Sequence, residues 1–290
     1  MAVQHSTLAQ LSNASKEMIK EAIYTMEHET PNRALVRSFT LQEGHDTMVI
    51  PKVGQMTFLA INESQKNTNE MDIGMTTSSV STSIVGGKVI LTDTLLRDNS
   101  LDIWQIVGKQ VGDAGARKID RDIIALYPSL NGGTTLGAAA AVFSIDNVLA
   151  VIAHAKTNKF GSGMHIICHP NQLARLSKDL SAVNSGRPIP RGYSEDRLAN
   201  FFTGIVLGAV PFFETGNIDL DTNNDAIGCI KAKDTLGVLQ AGSVRSRRER
   251  DESIGEGAWI LYVTHRYTAF ERDDATGAPL TYASATKATS

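Results

Sequence analysis

The most regular apolar pattern in the sequence begins with a short apolar run near residue 90. Val89, Ile90 and Leu91 follow two glycines, and this run predicts a buried strand. Apolar residues then recur at steps of three and four along one helical face: Trp104, Val107, Val111, Ala114, Ile119, Ile123 and Leu126. The spacing predicts a helix over residues 101–127, about 40 Å long at about 1.5 Å per residue. We expect a helix of this length to serve as a strut.

The two segments before this helix have few apolar positions to bury. Within residues 1–45, residues 15–26 predict a helix and residues 35–41 predict an extended segment, which together form an arm that needs another surface. Residues 46–83 predict a long two-stranded hairpin with a very polar tip at residues 62–72. A hairpin with so little to bury is marginal alone, so it is either mobile or lies on another subunit.

The rest of the sequence mixes helical and strand patterns, which makes the predicted fold class α+β. After a flexible connection at residues 131–141, the predicted elements are a helix capped by Ser144, a strand at 164–168, a helix from Pro170, a helix capped by Ser194 and a strand at 207–213. Further strands are predicted at residues 226–230, 237–244 and 258–270. Residues from Ala275 onward are small and polar and predict a loose tail.

Composition describes a folded protein without a strong charge bias. The chain has 290 residues, of which 42% are hydrophobic and 20% charged, with a net charge of −3. A polyanion-binding protein would need a basic surplus, and a membrane span would need about 18 consecutive apolar residues, so neither class is predicted. No signal peptide is visible at the N-terminus. Cys168 and Cys229 lie in apolar surroundings and are interpreted as buried free thiols in a reducing compartment.

The sequence contains no catalytic signature and no convincing metal motif. GxxxxGK[ST], GxGxxG, GxSxG and HExxH are all absent. His165, Cys168 and His169 do not share one face of a straight strand, so core packing or a helix-cap role is favoured over a metal site. The acidic residues of segment 219–225 lack the glycine and terminal glutamate of a calcium loop and are interpreted as a solvated loop. We therefore predict no cofactor and no enzymatic activity.

The densest charge run contains Arg245, Arg247, Arg248, Glu249, Arg250, Asp251 and Glu252. One interpretation is a solvated hairpin end. The other is an ion-pair surface that faces a neighbouring subunit, because both signs are present and could pair across a repeated contact. Nucleic acid is a less favoured partner, since the carboxylates neutralise most of the arginines.

Several passages, taken in their order, resemble a tailed-phage major capsid protein with the fold named after Hong Kong phage 97. Residues 86–124 contain a glycine-bearing strand and the long helix, which carries Asp120. Residues 164–176 are an apolar strand that runs into His-Pro and a helix, and residues 194–215 are a helix followed by TGIVLGAVPFFET. The sequence KDTLG at residues 233–237, before a strand, also fits this family.

The resemblance implies a domain organisation and a structural role. It divides the chain into an N-terminal arm (1–45), an extended loop (46–83), a peripheral domain with the spine helix (84–137), an axial domain (138–236), and return strands of the peripheral domain with a C-terminal tail (237–290). Copies would form hexamers and pentamers that close into an icosahedral shell around packaged double-stranded DNA, without sequence-specific DNA binding. Scaffolding, portal and decoration proteins are the further expected partners, no membrane is involved, and the protein would be made in the bacterial host cytoplasm and reside in the virion.

Two other functions remain open at this stage. An encapsulin-type nanocompartment shell shares the fold and would be distinguished by cargo enzymes encoded nearby. A soluble α/β enzyme would need a deep pocket with perturbed titratable groups, for which the sequence offers no constellation.

Candidate contact residues follow from the resemblance and from the helix pattern. Lys52 and Lys66 lie in the extended loop, where some relatives carry a crosslinking lysine, but nothing identifies an acceptor here. Gly108, Gly112 and Gly115 lie inside the spine helix, where each costs about 1 kcal/mol relative to alanine. We hypothesise that these glycines allow close approach of sheet backbone or let the helix bend between assembly states.

Overall fold

A computed structural model describes most of the chain and shows four helices and thirteen strands in the described parts. The described residues are 31–53, 74–98, 103–181, 206–207 and 210–284. The strands are β1 (Arg37–Thr40), β2 (Thr47–Val53), β3 (Met75–Ser81), β4 (Ser83–Thr92), β5 (Leu136–Gly137), β6 (His165–Cys168), β7 (Val206–Leu207), β8 (Val210–Glu214), β9 (Asp225–Lys231), β10 (Leu236–Gln240), β11 (Arg245–Asp251), β12 (Ala258–Glu271) and β13 (Gly277–Ala283). The helices are α1 (Asp93–Asp98), α2 (Ile103–Ile124), α3 (Ile145–Thr157) and α4 (Pro170–Ser181). The predicted helices at residues 15–26 and after Ser194 lie outside the described residues.

A five-stranded sheet is built around the 14-residue strand β12. Strand β4 runs antiparallel along one side of β12, and β11 and β10 pair in tandem along its other side. The close approach of β4 to β12 requires a glycine at position 86, because a Cβ at Gly86 would lie 2.3 Å from the carbonyl oxygen of Val263. The predicted strand at residues 89–91 is confirmed as the end of the longer strand β4.

A six-stranded sheet of order β5-β13-β9-β6-β8-β7 forms the second layer, with α3 and α4 contributing to its core. The predictions for α3 and α4 are confirmed: Ser144 caps α3 by accepting from Asn147 N, and Pro170 begins α4. The predicted loose tail is wrong for β13, which pairs with β9 and buries Leu280 and Tyr282. Its small residues, such as Ala278, suit a strand covered on both faces.

The long helix α2 bridges the two sheets and is fixed at its ends. Its 22 residues span about 33 Å, so the predicted helix over 101–127 extends three residues too far at its C-terminal end. The chain turns there into a 3₁₀ helix, Tyr127–Ser129, because Pro128 has no backbone N–H to continue the α-helix, and the side chain of Tyr127 is buried. At the other end, Leu95 of the unpredicted helix α1 packs with Ile103.

Hydrogen bonds and strand pairing tie residues 31–41 to both sheets. The hydroxyl of Tyr127 donates to Asn32 Oδ1 (2.5 Å), and Lys231 Nζ donates to the backbone oxygen of Leu35 (3.1 Å). Strand β1 pairs in parallel with β10 of the same chain. Residues 31–41 therefore lie on their own subunit, and the expectation of an arm that needs another surface is wrong for this part.

No helix among the described residues is long and apolar enough to cross a membrane.

Candidate assembly surfaces

The hairpin β2–β3 has one face packed on its own subunit and one face exposed. Met48, Ile50 and Val80 pack with residues of the five-stranded sheet, including Leu239 and Phe270. The alternating residues of the hairpin point the other way. There Val49, Val53 and Met75 are 61%, 58% and 62% exposed. The predicted hairpin is confirmed for its described base, and its polar tip lies outside the described residues.

Lys52 forms an ion pair within its own chain. Its Nζ lies 2.6 Å from Asp273 Oδ1, and this hydrogen bond to the carboxylate raises the pKa of Lys52. The structure thus gives Lys52 a partner in the same subunit, beside the five-stranded sheet. Lys66 lies outside the described residues.

Residues 245–251 of the charge run form the edge strand β11, which makes a hairpin with β12 and is exposed along most of its length. The solvated interpretation therefore holds for most of the run, but the run is a whole strand of the hairpin and not only its end. One face of β11 is bound to the helices. The guanidinium carbon of Arg248 lies 4.4 Å from the centroid of the Trp104 ring, and Arg250 donates to Asp93 Oδ2 at 3.1 Å. These two arginines therefore fix α1 and the start of α2 to the sheet edge.

The opposite face of β11 carries exposed charges of both signs. Arg245, Arg247 and Glu249 alternate with the helix-facing residues, and Arg247 and Glu249 form only a loose pair at 3.9 Å. At the strand end, Asp251 accepts from the hydroxyl and the backbone nitrogen of Ser253, and these bonds lower the pKa of Asp251. The neighbouring Glu252 lies 3.6 Å from Arg250 Nε. Several residues of the charge run therefore already have partners within the subunit. A second subunit can contact only the remaining residues without breaking these bonds.

The spine-helix glycines do not accommodate the sheet of their own chain. Among the described residues, no atom lies within 4 Å of a Cβ placed at Gly108, Gly112 or Gly115. The hypothesis of close approach by the subunit's own sheet is therefore wrong for these residues. Bending of the helix between assembly states stays a prediction.

The residues that could have formed a metal or catalytic site serve packing and turns instead. His169 Nδ1 accepts from Asn171 N at the start of α4, as its predicted cap role requires. His165 lies in the core, and burial followed by the charge of Lys231 lowers the pKa of its imidazole to about 4. The described residues contain no group of three potential metal ligands.

Asp225 corrects the interpretation of segment 219–225 as a solvated loop. This carboxylate is buried and accepts from the backbone nitrogen of Ala140 at 3.0 Å. Asp221 accepts from Asn223 N and Asp225 N within the turn, while Asp219 pairs with Arg121 on the surface. The segment is therefore a hydrogen-bonded turn that also holds the connection before α3.

Cys168 and Cys229 are buried free thiols, as predicted. Burial raises the pKa of both groups, to about 12 for Cys229. Neither thiol is therefore ionised near neutral pH, and both behave as small core residues.

Sequence reasoning missed a buried polar cluster at the C-terminal half of α2. Asn217 Nδ2 donates to Asp120 Oδ2 at 2.9 Å, and Thr215 Oγ1 lies 3.4 Å from the same oxygen. Lys231 is also fully buried. Its position at the end of an apolar strand is the one feature of the sequence that could have indicated this burial. The contacts of Asp120 join α2 to the segment that follows strand β8 of the six-stranded sheet.

The fold and these surfaces define a structural subunit: a long helix spans two sheets, and a hairpin displays apolar side chains outward. A family model described as phage capsid protein matches residues 76–279, and the chain belongs to this family. It is a major capsid protein, the class of protein that forms the icosahedral shell of a phage. No curated protein matches the sequence.

Solved capsid structures share the fold over nearly the whole chain. The capsid of cyanophage Pam1 has a TM-score of 0.71 and 11% identity, covering 94% of this chain and 97% of its own. The structure of Microbacterium phage Oxtober96 has a TM-score of 0.69 and 15% identity, with 95% and 99% covered. The head of Helicobacter pylori bacteriophage KHP40 has a TM-score of 0.69 and 11% identity, with 97% and 98% covered. The TM-scores establish a shared fold, the one named after Hong Kong phage 97, and identities this low show no more than the fold.

Proposed function

We propose that copies of this protein assemble through hexamers and pentamers into a closed icosahedral shell around double-stranded phage DNA. The observation that carries this proposal is the outward face of the hairpin β2–β3, with Val49, Val53 and Met75 more than half exposed. Exposed apolar side chains that cluster on one face are typical of an interface. In the assembled shell this face packs on a neighbouring subunit.

We further assign the sheets to the two domains that the family fold implies. The five-stranded sheet with α2 corresponds to the peripheral domain, and the six-stranded sheet with α3 and α4 corresponds to the axial domain. The pairing of β13 with β9 supports a revised boundary, in which residues 277–283 belong to the axial domain. Scaffolding, portal and decoration proteins are the proposed further partners, and the bacterial host cytoplasm is the proposed place of synthesis.

The test is to express the full chain and measure its mass by light scattering, with negative-stain microscopy of the heaviest fraction. We expect closed shells or discrete hexamers and pentamers. The double variant Val49→Ser/Val53→Ser should remain a folded subunit, as shown by circular dichroism, and lose the assembled fraction.

The matched control is Val142→Ser/Leu149→Ser, which removes exposed apolar side chains next to and on α3. Shells from this control and none from the hairpin variant support the proposal. Normal shells from the hairpin variant, or equal loss from both variants, would contradict the role of the hairpin face.

A further inference from the structure

A shallow cleft lies between the N-terminal segment and the turn that joins β9 to β10. Its charged lining groups are Arg33, Arg37, Lys233 and Asp234, and Ser38 also lines it. Three cations therefore face one carboxylate, although the whole chain carries a net charge of −3. The overall acidity of the protein conceals this local excess of positive charge.

The single carboxylate is already shared between two arginines. Asp234 Oδ1 lies 3.0 Å from Arg37 Nη1 and 3.3 Å from Arg272 Nη1. Arg33 and Lys233 are exposed, and within the described residues neither forms an ion pair. Within the part of the chain that the structure describes, no carboxylate therefore pairs with these two cations of the cleft.

A further cation contacts the chain segment that lines the cleft. Lys231 is fully buried and donates to the backbone oxygen of Leu35, which lies between the lining residues Ala34 and Val36. No described carboxylate pairs with this ammonium group. The positive potential acts on nearby side chains: besides burial, Arg33 lowers the pKa of His265.

We propose that this cleft binds phosphate groups of a nucleic-acid backbone without reading the base sequence. The inference rests on the proposed function, because a shell that encloses DNA brings its subunits into contact with phosphates. Guanidinium and ammonium groups are the side chains that pair with phosphate, and an arginine fork can bind it through two hydrogen bonds. No large apolar side chain of the cleft is exposed to hold the side chains of a peptide, so charge is the feature that selects the ligand.

The test measures binding of a random-sequence DNA duplex to the full-length, unassembled subunit by fluorescence anisotropy over a series of salt concentrations. The cleft variant is Arg33→Gln/Lys233→Gln, which leaves the Arg37–Asp234 pair intact. The matched control is Arg245→Gln/Arg247→Gln, which removes the same charge from the exposed face of β11.

Each phosphate contact contributes about 0.9 to the slope of log K against log salt. We therefore expect the cleft variant to lose about 2 from this slope and about tenfold in affinity at low salt, while the control stays within about twofold of the native chain. Two duplexes of different sequence should bind equally.

Three results would overturn the inference: no DNA binding by the native chain at low salt, equal weakening by both variants, or tighter binding of an oligoglutamate peptide than of DNA. Shell formation is measured separately by microscopy. Shells that form normally while DNA binding is absent would reject the cleft and leave the proposed function standing.

Discussion

The guanidinium group of Arg248 stacks on the indole ring of Trp104, with 4.4 Å between the guanidinium carbon and the ring centroid. This contact joins the edge strand β11 to the first turn of α2. Together with the hydrogen bond from Arg250 to Asp93, this contact holds α1 and α2 against the five-stranded sheet. Part of the densest charge run in the sequence therefore stabilises the subunit itself.

The stack predicts unequal effects of two neighbouring arginines. Arg248→Ala should lower the free energy of unfolding by about 1 kcal/mol, because a cation–π contact and its packing are lost. Arg245→Ala should change this free energy by less than about 0.5 kcal/mol, since Arg245 is exposed on the other face. Urea unfolding of the unassembled subunit measures both, and equal effects would show that the stack contributes nothing.

Gly86 and Gly87 provide a matched pair for the packing of β4 on β12. Gly86→Ala should destabilise the subunit by about 2 kcal/mol or more, because its Cβ would meet the backbone oxygen of Val263. Gly87→Ala should be neutral or slightly stabilising, since no described atom lies within 4 Å of its Cβ. Thermal unfolding of both variants decides the point, and a stable Gly86→Ala protein would mean that the two strands separate at little cost.

The spine-helix glycines should have opposite effects on the subunit and on the shell. Gly112→Ala/Gly115→Ala removes two costs of about 1 kcal/mol each, and no described atom obstructs the new methyl groups, so the isolated subunit should gain stability. If the helix bends between assembly states, the same variant should assemble or mature poorly. Microscopy of the shells checks this, and well-formed, normally maturing shells would end the bending hypothesis.

The polar tip of the hairpin should matter for assembly and not for folding. Deletion of residues 62–72 should leave a subunit with native circular dichroism and cooperative unfolding, because the described base of the hairpin makes the contacts with the core. The shells should fail to form stably. Intact shells from this deletion would remove the proposed role of the extended loop.

The buried Lys231 predicts a dependence of stability on alkaline pH. Burial lowers the pKa of its ammonium group from 10.5 to about 8, so between these pH values the unfolded chain binds more protons than the folded chain. Stability of the native chain should therefore rise relative to Lys231→Met as the pH increases from 8 to 10.5, by about 3 kcal/mol at most. The buried thiols shift stability in the opposite direction in both proteins, so the difference between the two proteins reports the lysine together with its electrostatic coupling to Cys229. A difference that stays constant over this range would contradict the prediction.

Sequence reasoning was most successful where one periodicity and one cap agreed. Ser144 before an apolar helical face predicted α3, and Pro170 after an apolar strand predicted α4. It failed where tertiary pairing decides the outcome. The residues of β13 look small and polar, yet Leu280 and Tyr282 become core residues once β9 provides a partner.

The candidate surfaces show the same limit. The alternation in β11 could have separated Arg248 from Arg247, but only the fold shows which face lies against Trp104. The cleft around Asp234 joins residues almost 200 positions apart, as the pair of Arg37 with Asp234 shows by its separation of 197. No local pattern could bring these residues together.

The order of the strands along the chain also bears on how the protein is made. Strand β12 is the centre of the five-stranded sheet, and β13, which follows after a single 3₁₀ turn at Asp274–Thr276, lies inside the six-stranded sheet. During synthesis, both sheets therefore remain incomplete until these last described strands leave the ribosome. A chain that terminates before β12 lacks the centre of one sheet and an inner strand of the other. We therefore expect that translation products cut short in this way do not present finished assembly surfaces and are not incorporated into shells.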